Sequence, residues 1–396
     1  GELAEGEMEA PTSDAVAGRL MEAGVIPLNI TEKQHKVDVI DTLNRKLGLY
    51  RVSVEELLMF TRQMASLIKA GVPVTRAISG IEESIQNPLL IEALNDITEQ
   101  LEAGRSLSVS FARHPKVFDN LYISMIQVGE SSGQLDQAFI QMSGYIDRNR
   151  KLTHSISAAL RYPKIVILAV AAAIVIVNIW VIPEFANFFT ANNLELPWQT
   201  IALLRTSEFF IAYWPHMLVL TIFAVFAFKR FISTPEGSYK WHRFILRVPL
   251  IGEILQRAYL ARFGRSFAMA YGAGVPIVQA MGVIARSVGN DYISDHVAGM
   301  REGIERGETL TLTAQRTGMF TPVVMQMFAV GEEAGNLEEM MQYVAEFYEE
   351  EVDYDVKNLS DKLEPVLYVF IGILVLILAL GILVPMWDVA QLARQQ

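Results

Sequence analysis

The segment Ala70-Gly71-Val72-Pro73 returns as Ala273-Gly274-Val275-Pro276, and each copy is followed, at the same distance, by an apolar run of membrane length. Aligning Phe60–Ala77 with Phe263–Ala280 gives eight identities in eighteen positions by direct count. The register persists with at most a one-residue slip. Val128-Gly129-Glu130 matches Val330-Gly331-Glu332, Gly133 matches Gly335, Leu135 matches Leu337, and Pro163 and Pro183 match Pro365 and Pro385. Solenoid units run to roughly 20–50 residues, so one repeat at this much longer spacing is a duplicated domain. The chain is therefore constrained to two similar bodies, each tied to lipid, rather than to one catalytic pocket.

Three runs, Ile165–Ile182, about Phe209–Phe228 and Val366–Val384, contain no Asp, Glu, Lys or Arg. Each approaches the roughly 20 residues needed to cross about 30 Å of hydrocarbon. Lys and Arg in the flanks set the orientation. Arg148, Arg150, Lys151, Arg161 and Lys164 precede the first run, and Lys229, Arg230, Lys240, Arg243 and Arg247 follow the second. The loop between them holds only Arg205 and the tail only Arg394. Both repeats are expected in the cytoplasm of a three-span protein, with the intervening loop and the C-terminus outside. Asn178 and His216 are the polar residues of note inside the runs. They read more simply as helix–helix hydrogen-bonding or interfacial groups than as an ion path, which usually gathers several ionisable residues.

Within each copy the period is helical. Ser53-Val54-Glu55-Glu56 is a capping box, and the helix after it is expected to stop at Gly71 in the left-handed region, with Pro73 near the next helix start. Gly274 and Pro276 repeat that plan, and Gly133 and Gly335 mark later turns. About six helices per repeat follow, the last continuing towards a span. The expected fold is an all-α membrane protein with two homologous helical bundles, three transmembrane helices and a small N-terminal α/β module. Its divisions are a strand–helix–strand module at 1–30, a linker at 31–52, repeat 1 at 53–162 and the first span at 163–183. An outer loop at 184–208, a span at 209–228, a linker at 229–254, repeat 2 at 255–364, a span at 365–385 and an outer tail at 386–396 complete it. Gly1–Ala10 is acidic and polar without a signal-peptide pattern, and the missing initiating Met raises the expectation of a processed or trimmed start.

Composition narrows the chemistry. A net charge of −11 opposes a nucleic-acid surface. The absence of cysteine removes disulfides, thiolate zinc sites and cysteine nucleophiles. No phosphate loop, HExxH pair or GxSxG elbow is present, and the six histidines lack ligand spacing. Glu130 with Asp136, and Glu332 with Glu338, raise an acid/base or calcium reading. A six-residue separation is poor for sharing a helix face, so a structural or interaction role is expected for the Glu130 and Glu332 motifs. The carboxylates Glu349, Glu350 and Glu351 form either a solvated helix face or a docking surface for a basic partner. Neither a catalytic site nor a cofactor is expected.

The paired AGVP segments, Val-Gly-Glu-Ser-Ser-Gly-Gln-Leu-Asp at 128–136 and Val-Gly-Glu-Glu-Ala-Gly-Asn-Leu-Glu at 330–338 resemble the F-protein family. These are the inner-membrane platform proteins of type IV pilus and type II secretion machines, and the likeness covers nearly the whole chain. The resemblance implies a non-enzymatic protein that seats a cytoplasmic hexameric ATPase and passes its motion to pilin or pseudopilin transmembrane helices. Other inner-membrane assembly proteins and further copies of the chain are implied as partners. Some members of the family hold a metal near the VGE glutamate, with an acidic residue just before the alanine equivalent to Ala77; here that position is Arg76, and Gln279 in the second copy. The short outer loop and charged N-terminal module incline the reading towards a mannose-sensitive type of pilus. A small transporter and a membrane-tethered enzyme are the competing classes.

Overall fold

The computed structural model describes residues 20–21, 51–183 and 198–392. Every regular element among the described residues is helical. The expected N-terminal module and its linker lie outside them, save helical Leu20–Met21 and the stretch from Arg51. One compact unit comprises Gly1–Arg51 with Asn87–Leu89. In it, Asn87 donates to the Arg51 carbonyl at 3.0 Å and accepts from the Leu89 amide at 3.0 Å. The other unit, Val52–Gln86 with Leu90–Gln396, holds the remainder of repeat 1 and all of repeat 2.

Repeat 1 contains α1 (Val54–Lys69), α2 (Val74–Glu82), α3 (Pro88–Glu102), α4 (Leu107–Ala112), α5 (Asn120–Ser132) and α6 (Leu135–Ala159). Helix α7 (Arg161–Ile176) and a π-helical turn (Val177–Val181) carry the chain onward. Helices α8 (Trp198–Ile232) and α9 (Pro235–Ile245) lead to repeat 2. That repeat comprises α10 (Ile251–Gly272), α11 (Ile277–Ser287), α12 (Asp291–Glu305), α13 (Leu310–Thr317), α14 (Pro322–Ala334) and α15 (Leu337–Leu392).

Local chemistry sets these boundaries. Ser53 and Glu56 form the expected capping box, the Glu56 amide donating to Ser53 Oγ at 3.2 Å and the Ser53 amide to Glu56 Oε2 at 2.7 Å. Gly71 at φ +83° ends α1 in a Schellman turn, with the Val72 amide donating to the Leu67 carbonyl at 3.0 Å. Gly274 at φ +89° repeats it for α10, where Val275 donates to Ala270. Pro73 and Pro276 take the N-cap positions of α2 and α11. Proline fits there because its missing N–H would have had no intrahelical acceptor.

The core of repeat 1 is an aromatic stack of Phe60, Phe111, Phe118, Tyr122 and Phe139, with the Phe111 and Phe118 ring centroids 4.4 Å apart. The buried Tyr122 hydroxyl lies 3.1 Å from Thr61 Oγ1, so the polar atom is not left orphaned. In repeat 2, Phe263, Phe320 and Phe328 occupy the equivalent centre. Full burial of each ring contributes about 1.5–3 kcal/mol.

Three connections differ from expectation. Helix α8 begins at Trp198, inside the stretch read as an outer loop. Hydropathy registers only the apolar part of a helix, and the turns before Phe209 are mixed in polarity. Pro215-His216, which in the sequence reads as an interruption of the second apolar run, lies within α8 without breaking it; a proline removes one helical hydrogen bond, which apolar helices of this length tolerate. The 229–254 linker contains α9, docked on α12. Tyr239 meets Tyr292 at 5.7 Å, the Arg243 guanidinium lies 5.7 Å from the Tyr292 ring, and His242 Nδ1 accepts from the Asp291 amide at 3.0 Å. Leu250 then turns the chain into α10 at φ +68°, with Ile251 N donating to the Pro249 carbonyl at 2.9 Å. This is a γ-turn in the strained hand.

The long helices also differ between copies. Leu160 separates α6 from α7, three residues before Pro163, whose ring and missing N–H oppose an unbroken helix. Helix α15 runs through Pro365 without a break. Among the described residues, two stretches are long and apolar enough to cross a membrane, Leu135–Ile176 and Ala212–Ile232.

Asp96 on α3 clamps the end of α4. Its carboxylate accepts from Arg113 Nε at 2.8 Å and Nη2 at 3.1 Å and lies 2.8 Å from His114 Nε2. The Arg113 hydrogen bond foremost, aided by His114, lowers the Asp96 pKa to about 2. A carboxyl depressed in the folded state stabilises it above the unfolded value near 4 and loses that contribution as pH falls towards 2. Asp96→Asn is expected to remove ~1 kcal/mol at pH 7 and almost nothing at pH 2, measured as the pH dependence of the thermal midpoint of the full chain in detergent.

Packing gives a second test. A Cβ on Gly129 would stand 2.6 Å from Ala138 Cβ, whereas one on Gly80 would meet nothing within 4 Å. Gly129→Val is expected to cost about 1–3 kcal/mol through overpacking. Gly80→Ala should be neutral or stabilising by up to ~1 kcal/mol, both judged by thermal unfolding.

Candidate functional site

The VGE glutamates reach across each bundle to the start of another helix. Glu130, half-buried on α5, accepts from the Leu107 amide at 2.6 Å, the Ser108 amide at 3.1 Å and Ser108 Oγ at 2.7 Å. Ser106, the N-cap of α4, provides no side-chain cap of its own. The glutamate therefore satisfies the first amides of α4 from 22 residues away and places negative charge at the positive end of the helix. Glu332 on α14 does the same for α13, accepting from Leu310 N at 2.7 Å and Thr311 N at 3.1 Å. There the next amide, Leu312 N, is taken by Thr309 Oγ1 at 3.1 Å.

The rest of the motif follows from this reach. Gly129 and Gly331 let the next helix approach; a Cβ at Gly331 would lie 2.9 Å from Met340 Cβ. Gly133 and Gly335, at φ +71° and +69°, are the left-handed caps that reverse the chain into α6 and α15. Gln134 N donates to the Gly129 carbonyl at 2.8 Å and Asn336 N to the Gly331 carbonyl at 2.9 Å, completing both turns. These four positions are thus one joint made twice. Asp136 and Glu338, in the first turns of α6 and α15, lie beyond the reversal. A cation fits poorly at Glu130, because its two oxygens are already held by three donors.

Part of the acidic run on α15 pairs with arginines of α10. Glu349 receives two hydrogen bonds from Arg265, Nε at 3.2 Å and Nη2 at 2.9 Å. Arg257 pairs with Glu351 at 3.1 Å and, more closely, with Asp355, which Lys362 also reaches at 3.3 Å. Glu349 and Glu351 thus pair across the α10–α15 seam while their side chains stay 30% and 39% exposed, and Glu350 is exposed. His216 is exposed on α8 with its ring 5.9 Å from Tyr213, and Asn178 falls in the π-helical turn.

A duplicated ion pair escaped the sequence reading. Arg62 meets Asp147 at 3.3 Å in repeat 1, and their counterparts are Arg265 and Glu349 in repeat 2. The repeat offset applied to the acids as well as to Arg62 would have found it. The target of each glutamate cap was also written twice, as Ser106-Leu107-Ser108 and Thr309-Leu310-Thr311.

Two bundles with the same internal joint, each followed by a helix of apolar surface, define a duplicated helical protein of the membrane-coupled kind. The chain belongs to the family of the type II secretion system (T2SS) protein F, whose pattern matches twice, over residues 60–183 and 263–385. It is 31% identical over 390 residues to the type IV pilus assembly protein PilC of Myxococcus xanthus, covering 98% of this chain and 93% of that protein. It is also 31% identical over 393 residues to PilC of Thermus thermophilus, covering 98% and 95%. A type II secretion system protein F from Pseudomonas aeruginosa is 28% identical over 394 residues, covering 99% and 96%.

Replacing either glutamate tests the joint. Glu130→Ala frees two amides and a hydroxyl, whereas Glu332→Ala frees two amides beside an intact Thr309 cap. Both should destabilise by about 1–2 kcal/mol, Glu130→Ala the more. Denaturant midpoints of the two variants, with Ser108→Ala added to the first, would check the order; Ser108→Ala should cost little once Glu130 is gone.

Proposed function

We propose that this chain is the inner-membrane platform protein of a type IV pilus assembly machine, with both repeats in the cytoplasm. The observation that supports this most is continuity. Helix α6 hands over to α7 through one residue, and α15 continues from repeat 2 through Leu392. A cytoplasmic hexameric ATPase that turned or tilted the bundles would move those helices, and pilin helices lying against them would follow. On this reading Val366–Val384 of α15 is a third span, and the C-terminus is periplasmic. The ten Lys and Arg residues flanking the first two runs on the repeat side, against Arg205 in the loop between them, support that orientation.

Service in a type II secretion system, with pseudopilins as cargo, is the second reading, favoured by the full-length likeness to secretion protein F. A transporter is poorly supported, since the three apolar runs contain no Asp, Glu, Lys or Arg to line a path.

Purifying the full chain in detergent with the assembly ATPase encoded beside it tests the proposal. A stable complex whose mass includes six ATPase subunits is expected. Absence of any complex, together with solute flux through liposomes carrying this chain alone, would replace the platform reading with transport.

A further inference from the structure

The two repeats meet through unlike faces. Repeat 1 contributes α5 and α6, while repeat 2 contributes α10 and α11, with α15 alongside α6. Val128 of α5 packs on the core of repeat 2. Buried Tyr145 accepts from Ser266 Oγ at 3.4 Å, and Arg262 Nε donates to Asn149 Oδ1 at 3.0 Å. Leu152, Ile156 and Ala159 of α6, with Leu160 just beyond it, join Val352, Val356, Leu359 and Leu363 of α15 around Ile254 and Ala258. Homologous bodies joined through non-equivalent faces form a heterologous contact, which leaves one copy of each face unused.

The repeat offset identifies the unused faces: 203 residues at Phe60/Phe263 (263 − 60) and 202 at Glu130/Glu332 (332 − 130). In repeat 2, the counterparts of Val128, Arg148, Asn149 and Leu152 are Val330, Glu350, Glu351 and Tyr354. Val330 is 54% and Tyr354 65% exposed. In repeat 1, the counterparts of Arg262 and Arg265 are Met59 and Arg62. Met59 is 64% exposed, and the Arg62 side chain is 57% exposed against 10% for Arg265. The faces also carry opposite charge. Exposed Glu350 and Asp353 lie on α15, whereas Arg62, Arg150 and Lys151 crowd one carboxylate, Asp147, at 3.3, 3.2 and 3.0 Å. Glu55, 4.0 Å from Arg150, offsets part of that surplus.

We infer that copies of this chain associate head to tail, with Val330, Glu350 and Tyr354 of one copy seated on Met59, Arg62 and Lys151 of the next. The occupant is a second copy because the internal contact shows this pair of surfaces fitting once already, and because their charges complement one another. Exposed Glu350 thereby acquires a partner within the assembly. The inference stands on repeat geometry and does not depend on the pilus reading.

The cysteine-free sequence makes the test direct. One tagged copy carries Met59→Cys and a differently tagged copy carries Tyr354→Cys, co-expressed as full chains and treated in membranes with a short bismaleimide. The expected product is a dimer bearing both tags. Val330→Glu, at an exposed position, should cut its yield roughly tenfold without moving the thermal midpoint of the chain. Arg62→Glu should also lower the yield, and Glu350→Arg in the facing copy should restore it. Products joining only 59 to 59 or 354 to 354, capture of a different protein at either position, or no intermolecular product would each overturn the head-to-tail arrangement.

Discussion

Every helix begins with amides that have no acceptor within it, and a bundle of short helices has many such starts in little sequence. The glutamates at 130 and 332 answer this for α4 and α13, elements of six and eight residues with little packing surface of their own. The same side chain that completes one helix also fixes its position against the helix carrying the glutamate. Because Gly129 or Gly331 lies beside it and Gly133 or Gly335 follows, the joint also sets how closely the last helix approaches. The long helices that leave each bundle are thus positioned by a joint on the helix immediately before them.

Duplication did not produce two equal halves. The Arg62–Asp147 pair is open to water, where such a pair contributes about 0–1 kcal/mol. Its counterpart, Arg265–Glu349, is covered by α6 of the other repeat, and a cavity beside it is lined by Tyr145, Asn149, Leu152 and Arg262. Once enclosed, such a pair must stay matched, because losing one partner strands the other charge in a poor solvent. One inherited contact is therefore a surface feature in one half and a seam in the other. The difference arises from which face the neighbouring repeat covers.

Much of this architecture was legible in the residues, and the reason is locality. The capping box at Ser53, the left-handed stops at Gly71 and Gly274, and the reversal at Gly133 each act within a few residues. Six helices per bundle follow from such signals. The glutamate caps were less legible, since acceptor and amide are more than twenty residues apart, and the motif pointed to a structural or interaction role without naming its target. The pairing of Glu349 and Glu351 was hidden for a related reason: a run of carboxylates gives no sign of its partners until the facing arginines at 257 and 265 are placed. Helix α9 was missed because its residues look mixed until Tyr239 and Arg243 find Tyr292.

The short passage from α8 into repeat 2 has no slack. Thr234 Oγ1 caps α9 by accepting the Gly237 amide, Trp241 packs edge-on to Phe228, and the γ-turn at Leu250 leads directly into α10. Leu250 is held in its unfavourable backbone state by packing among the residues where α6 and α15 meet. A flexible tether would absorb any displacement of the second bundle. This strut instead has few soft torsions, so a load applied to the bundle is delivered to α8 with little lost on the way.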